Sequence, residues 1–119
     1  ANPALLASGT YYVVETSGKI VGCGGWTKER PGGGSFDGQT GHIRHFATDP
    51  DHVRQGIGSM LIQRCLADAR ANGLGQMECF ASLNAVPFYS TVGFEPLTPL
   101  DIRLGGTVSM PSLHMRCSL

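Results

Sequence analysis

The feature that most constrains the fold of this chain is a change of hydrophobic period near its middle. Residues 42–48 are typical of a strand that ends at Asp49 and Pro50, because proline lacks the N–H that a sheet requires. Residues 54–72 then follow the period of an amphipathic helix, and residues 76–81 alternate as a strand does. The apolar stripe of the helix consists of Ile57, Leu61, Cys65 and Ala69, with Gly58, Ile62 and Leu66 beside it. This strand, helix, strand unit predicts a parallel pair joined by a right-handed crossover.

The flanking segments predict an otherwise antiparallel sheet. Residues 10–15 and 19–27 are two apolar runs around a turn at Ser17 and Gly18, which favours a hairpin. The remaining features are a glycine-rich loop at 31–41, a short helix at 84–92 that Gly93 ends, and two strands near 101–104 and 113–119, around the turn-rich Gly105, Gly106 and Pro111. The fold class is therefore α/β, with a mixed, mostly antiparallel twisted sheet around a central β-α-β unit. Residues 1–119 are expected to form a single domain.

Composition limits the kind of ligand and the compartment. Lys plus Arg and Asp plus Glu are nine each, so the chain has no positive field for nucleic acid, and an anion must be bound by local geometry. The four cysteines are scattered without a CxxC pair or a nearby histidine cluster, which favours reduced thiols, a cytoplasmic location and no metal site. We expect no membrane segment, because no stretch approaches the ~20 apolar residues that a spanning helix needs.

Residues 54–59 form a glycine turn where the predicted strand gives way to the predicted helix. Gly56 and Gly58 allow a ligand to approach the main chain, and the first amides of a helix have no internal acceptors, so this turn suits a phosphate. Arg54 adds a charged contact at the rim. The alternative is that the glycines serve tight packing of helix against strand. A dinucleotide fingerprint is less favoured because Leu61 stands where the third glycine belongs, and the Gly-Lys-Ser/Thr of a P-loop is missing.

Three motifs in register resemble those of the GCN5-related N-acetyltransferase (GNAT) family. They are HFATDP at 45–50, RQGIGSMLIQRC at 54–65, and Asn84 with PFY at 87–89 followed by VGFE at 92–95. The likeness spans roughly residues 10–119 and implies an acyl-CoA N-acyltransferase fold with acetyl-CoA as co-substrate. One departure is Val53, which stands where the family has Gln or Arg.

The resemblance also implies which residues contact the cofactor. Residues Arg54, Gln55, Gly56, Ile57, Gly58 and Ser59 would hold the pyrophosphate. The pantetheine arm would lie beside Phe46, Ala47 and Thr48, where the next strand splays away from residue 79 onwards, with Asn84 and Phe88 lining the other side.

Two catalytic residues are expected for transfer of an acetyl group to an amine. In the family the tyrosine of the last motif stands near the sulfur as general acid, and Tyr89 occupies that place. The alternative for Tyr89 is an aromatic side chain packed on the sheet. His42 lies where some members have a base, and a histidine accepts protons near neutral pH. The alternative for His42 is a surface histidine at the start of a strand.

The resemblance also predicts what this chain lacks and what it binds. It starts near the second strand of the family fold, so the usual first strand and first two helices are expected to be absent. An uncovered strand edge and apolar sheet face would then favour a homodimer. The acceptor would be a small-molecule or protein amine. Two alternatives remain, a non-catalytic acyl-CoA binding or sensing module with an incomplete acceptor site, and a purely structural domain.

Overall fold

The structure of the protein is a computed structural model that describes residues 4–28, 38–49 and 56–119. In these ranges the strands are β1 Ala4–Ser8, β2 Tyr11–Thr16, β3 Lys19–Thr27, β4 Thr40–Thr48, β5 Gln76–Ser82, β6 Glu95–Gly105 and β7 Val108–Ser118. The helices are α1 Ile57–Ala71 and α2 Val86–Thr91, and a 3₁₀ turn at Leu83–Ala85 leads into α2. Neither helix is long and apolar enough to cross a bilayer.

The strands form one sheet in the order β1-β2-β3-β4-β5-β7-β6. Among the described strands, β4 and β5 are the one parallel pair, and α1 connects them. The predicted class, a mixed and mostly antiparallel sheet around a β-α-β unit, is confirmed. β4 pairs with β5 only from Thr40↔Gln76 to His42↔Glu78, although both strands continue. The two strands therefore separate beyond this point and leave a gap in the sheet.

Helix α1 covers one face of the sheet with the predicted apolar stripe. Its buried residues are Ile57, Leu61, Ile62, Cys65, Leu66 and Ala69. A hydrogen bond from the Tyr12 hydroxyl to Asp68 (2.5 Å) joins the helix to β2, and the Trp26 indole donates to the Tyr12 hydroxyl at 3.2 Å. Burial supplies most of the stabilisation, and these hydrogen bonds fix the orientation of the helix on the sheet.

Two parts of the strand prediction differ from the structure. The sequence analysis placed no strand before residue 10, whereas β1 pairs antiparallel with β2. The two strands at the end of the chain are also longer than expected. They extend over three prolines that lie outside the expected strands. Pro96 and Pro99 lie in β6, the edge strand. Proline is tolerated there because an edge strand forms hydrogen bonds with a neighbour on one side only. Pro111 lies in β7 just beyond Ser112, the last residue that pairs with β5.

The homodimer prediction assumed an uncovered apolar sheet face. The face of the sheet away from α1 is only partly apolar. Around β4, β5 and β7 this face is polar. Gln76 donates a hydrogen bond to Thr40, and Glu78 accepts hydrogen bonds from Arg116 and contacts His114. The apolar side chains exposed on the sheet near its β1 edge include Leu6, which is 51% exposed, and Tyr11. An apolar surface that would favour a homodimer is therefore found near that edge.

Candidate active site

The pairing between β3 and β4 is irregular between Arg44 and Ala47 of β4. Cys23 pairs with Ala47 and Gly25 pairs with Arg44, so two residues of β4 lie opposite Gly24. This is the pattern of a β-bulge, which bends a strand and redirects its side chains. A Cβ on Gly24 would lie 2.5 Å from the Phe46 ring, so this ring packs directly over the glycine backbone.

The first turn of α1 has the features that the glycine turn predicted. Gly56, the N-cap residue, has φ 74, a left-handed conformation, and makes no side-chain hydrogen bond to the helix. The Met60 N–H donates to the Gly56 carbonyl at 2.9 Å, so the amides of residues 57–59 precede this first helical hydrogen bond. The first turn contains no acidic residue that would repel an anion.

Gly58 has a packing role, but its tight contact is with α2 and not with the strand that the alternative interpretation named. A Cβ there would lie 3.2 Å from the Phe88 ring, so the start of α1 and the start of α2 meet at this glycine. At Gly56, by contrast, no atom of the described residues lies within 4 Å of an added Cβ. Gly56 therefore serves the turn conformation, and Gly58 serves the close approach.

A cleft of about 380 Å³ lies between β4, the start of α1 and α2. Its lining consists of Phe46, Ala47, Thr48, Gly56, Gly58, Ser59, Ala85, Phe88 and Tyr89. Eight of these nine residues were named as site residues from the sequence, and Ala85 was not. The structure thus brings the three sequence motifs to one concave surface.

The other predicted cofactor residues are not part of this lining. Ile57 is fully buried in the core, so only its backbone can face a ligand. Asn84 is exposed and lines neither this cleft nor the next one. The 3₁₀ turn presents Ala85 to the cleft, and the contact of Asn84 with the cofactor stays a prediction. Arg54 and Gln55 lie outside the described residues.

A second cleft of about 240 Å³ adjoins the first and shares Phe46, Ala85 and Tyr89 with it. Its lining includes every residue from Cys79 to Ser82. Successive residues of a strand point to opposite faces, so this cleft opens through the sheet where β4 and β5 have separated. The remaining lining residues are Ile43 and Met110.

A sequence comparison identifies the family. The model of the Acetyltransferase (GNAT) family matches residues 2–94 of the chain. The chain belongs to the GNAT family. The resemblance that the three motifs indicated is therefore confirmed over most of the sequence, and the activity of the family is acetyl transfer.

Solved structures share the fold at low identity. An IAA acetyltransferase from Bacillus cereus has a TM-score of 0.72 at 19% identity, covering 92% of this chain and 77% of that chain. A GNAT family acetyltransferase from Elizabethkingia anophelis with acetyl-CoA bound has a TM-score of 0.71 at 16% identity, with coverage of 92% and 75%. A putative acetyltransferase from Salmonella typhimurium with its cofactor acetyl-CoA has a TM-score of 0.72 at 21% identity, with coverage of 91% and 63%. At these identities the likeness shows the fold alone.

Tyr89 of this GNAT chain stands between the two clefts. Its side chain is 7% exposed, and its ring makes edge contacts with Phe88 and Phe94 at centroid distances of 5.2 and 5.3 Å. Within the described residues its hydroxyl has no protein hydrogen-bond partner. Burial raises the pKa of Tyr89 well above its usual range, so the hydroxyl keeps its proton at neutral pH. Tyr89 is thus both the packed aromatic and a protonated group that lines the cleft.

His42 lies at the closed end of the gap between β4 and β5. It is 5% exposed, so the alternative of a surface histidine is wrong. Its Nδ1 is 4.0 Å from Oε1 of Glu78, its partner across the parallel pair. His42 lines neither cleft, although the next residue, Ile43, lines the second one.

The structure adds a polar cluster around Glu78 that the sequence analysis missed. The Glu78 carboxylate is within 2.8 Å of Nε2 of His114 and accepts hydrogen bonds from Arg116 at 3.1 and 3.3 Å. Burial opposes ionisation, but the contacts with His114 and Arg116 outweigh it and lower the pKa of Glu78. One signal in the sequence could have indicated this cluster, namely a charged residue inside an alternating strand. Its partners lie on β7, 36 and 38 residues further along the chain, so no local pattern connects them.

Proposed function

We propose that this GNAT chain transfers the acetyl group of acetyl-CoA to a primary amine by direct attack. The observation that supports this most is the pair of adjoining clefts. One begins at the first amides of α1, the other crosses the sheet, and Tyr89 stands where they meet. Acetyl-CoA is the co-substrate that fits this family and this cleft. Within the described residues no group of three or more His, Cys, Asp or Glu is placed to hold a metal ion.

The pyrophosphate would bind at the start of α1. The amides of residues 57–59 and the helix dipole favour an anion there, and Ser59, exposed at the cleft, adds a hydroxyl. The pantetheine arm would extend along residues 46–48 of β4. In this part of the sheet β5 no longer pairs with β4, so an extended ligand can take the place of a neighbouring strand.

The chemistry needs two proton movements. The neutral amine attacks the thioester carbonyl carbon, a C–N bond forms, and the C–S bond breaks as the tetrahedral intermediate collapses. We assign Tyr89 as the general acid that gives its proton to the departing thiolate, and its position in the lining of both clefts supports this role. We assign His42 as the base that receives the proton of the amine, through a water because the residue does not line the cleft.

The cofactor assignment can be tested by calorimetric titration with acetyl-CoA. Gly58→Glu and Ser59→Glu should each weaken binding by about 10-fold or more, since a carboxylate would face the phosphates. Ser59→Glu is the cleaner change because residue 59 is exposed, whereas residue 58 contacts Phe88. Ala67→Glu, on the exposed side of the same helix, is the matched control and should bind normally. Equal affinity in all four proteins would contradict the site.

The catalytic assignment can be tested by thiol release with a panel of amines. Tyr89→Phe keeps the ring contacts and removes only the hydroxyl, so kcat should fall about 100-fold while acetyl-CoA affinity stays nearly unchanged. An unchanged kcat would exclude Tyr89 as the acid. Acetyl-CoA binding without turnover for any amine would favour the non-catalytic acyl-CoA module.

A further inference from the structure

One row of side chains crosses five strands of the sheet on the face away from α1. The strand pairings place its members directly opposite one another, and residues that are opposite in a sheet share a face. In order from β3 to β6 the row consists of Thr27, His42, Glu78, Arg116 and Glu95. Glu78, at its centre, is a buried titratable group to which the proposed chemistry gives no part.

The two oxygens of the Glu78 carboxylate face different partners. Oε2 accepts hydrogen bonds from Nε and Nη2 of Arg116 at 3.3 and 3.1 Å. Oε1 lies 2.8 Å from Nε2 of His114 and 4.0 Å from Nδ1 of His42. The guanidinium therefore compensates the charge at one oxygen, while the other oxygen is directed at two imidazole rings.

The charge on Glu78 determines how it acts on these rings. Burial opposes ionisation, but the contacts with His114 and Arg116 outweigh it, so the carboxylate is ionised at neutral pH. An ionised carboxylate has no proton to donate and can only accept. At 4.0 Å its contact with His42 is an electrostatic attraction and not a hydrogen bond. The charge still favours an N–H at Nδ1 of His42 over a lone pair there, because it attracts the first and repels the second.

The other neighbours of His42 do not supply this charge. On β3 the residue paired with His42 is Thr27, which is uncharged. Arg44 lies two positions further along β4 on the same face, and a guanidinium would repel an N–H instead of attracting it. Of the two residues that pair with His42 across the sheet, Glu78 is thus the one that can fix its ring.

We propose that Glu78 is the positioning residue of His42. Its carboxylate holds the neutral ring in the tautomer with the proton on Nδ1, which leaves the lone pair on Nε2. This rests on the proposed function, in which His42 is the base. The proton of the attacking amine then passes through the intervening water to Nε2 of His42, and the charge of Glu78 stabilises the imidazolium that forms.

The tautomer can be measured without any turnover. In protein labelled with ¹⁵N, long-range ¹H–¹⁵N correlations at pH 8 distinguish a protonated Nδ1 from a protonated Nε2, and a His42→Gln variant assigns the signals. We expect a protonated Nδ1 in the unchanged protein and loss of this preference in Glu78→Gln. Glu95→Gln removes an exposed carboxylate of the same row and is the matched control, which should keep the tautomer. A proton on Nε2 of His42 in the unchanged protein would overturn the inference.

The rate of thiol release gives a second readout. Glu78→Gln should lower kcat about 10- to 100-fold with acetyl-CoA affinity nearly unchanged. The acid limb of kcat/KM should move to lower pH, because without the carboxylate the imidazolium is less stabilised and the ring stays neutral to lower pH. A lower melting temperature with no change in kcat or in the acid limb would show a structural role only, and would overturn the positioning role.

These outcomes separate the inference from the proposed function. Absence of turnover with every amine, together with a protonated Nδ1 that depends on Glu78, would contradict the transferase and still support the orientation of His42 by Glu78. Turnover with a protonated Nε2 would support the transferase and overturn the inference. Melting temperature and acetyl-CoA affinity, measured for each variant, show that the fold and the cofactor site are intact.

Discussion

At the scale of single residues, Glu78 shows how the tertiary structure sets a side chain's chemistry. A buried carboxylate is costly unless hydrogen bonds and a counter-charge compensate it. His114 and Arg116 supply both, and they overcome the burial that would otherwise keep the group neutral. Because its pKa is lowered on folding, ionised Glu78 stabilises the folded state above the pKa it has in the unfolded chain. This contribution is lost as the pH falls through the folded pKa.

Replacing Glu78 by Gln should therefore destabilise the protein in a pH-dependent way. We expect a loss of about 2 kcal/mol in the free energy of unfolding at pH 7, since charged hydrogen bonds are lost. The difference from the unchanged protein should shrink as the pH falls below the ordinary carboxyl pKa of about 4.3 and through the lower pKa that Glu78 has in the folded state. Urea denaturation at pH 7 and pH 3.5 measures this, with the exposed Glu95→Gln as control. A difference that is the same at both pH values would contradict the assignment.

At the scale of elements, the start of α1 depends on two glycines with different functions. Gly56 adopts a left-handed conformation with open space around it, and Gly58 allows contact with the ring of Phe88. The same residues that favour a phosphate site thus also shape the junction between α1 and α2. Packing therefore accounts for Gly58, and ligand approach at the glycine turn stays a prediction.

The conformational function of Gly56 can be separated from any steric one. Gly56→Ala should lower the free energy of unfolding by about 1 kcal/mol, because a Cβ disfavours positive φ. Gly56→Asn should cost less, since asparagine tolerates this conformation better than other residues with a Cβ. Thermal or urea unfolding of the two variants gives the comparison. If both variants lost the same free energy of unfolding, the cause would be steric contact of the added side chain and not the backbone conformation.

At the scale of the whole molecule, the core contains most of the thiols. Cys65, Cys79 and Cys117 are buried and Cys23 is half-buried, and no disulfide joins any of the four. Burial raises the pKa of Cys65 and of Cys79 to about 12 and also raises that of Cys117. Cys65, Cys79 and Cys117 are therefore neutral thiols of low reactivity in the core at neutral pH.

Thiol labelling should follow this distribution. In the native protein at pH 8, Ellman's reagent should react quickly with one thiol, Cys23, and with all four in denaturant. A Cys23→Ser variant is the control and should lose the fast phase. Rapid labelling of several thiols in the folded protein would show that the core opens more readily than the burial indicates.

We keep the homodimer as a prediction, now placed at the β1 edge of the sheet. An exposed edge strand with apolar side chains favours pairing with another strand, and Leu6 and Tyr11 are exposed there. Sedimentation velocity at micromolar concentration should show a dimer, and Leu6→Lys should shift it toward monomer. A clean monomer for the unchanged chain would exclude the proposal. The opposite edge, β6, contains Pro96 and Pro99 and is less suited to pairing.

The sequence by itself determined the elements whose signals are local. The helical stripe from Ile57 to Ala69 and the turn at Gly56 each lie within a few residues along the chain, so periodicity and turn chemistry were sufficient. The β-α-β unit, the family and eight of the nine lining residues of the first cleft followed from the motifs. β1 was missed because five residues gave too short a signal.

Only the tertiary structure decided what depends on residues far apart in the chain. The gap between β4 and β5 arises because the strands pair only as far as His42 and Glu78. The second cleft and the Glu78 cluster need β7 beside β5, a neighbour that no spacing in the sequence specifies. Burial is likewise a property of the assembled sheet. It made His42 an interior residue and raised the pKa of Tyr89, because only packing removes a group from water.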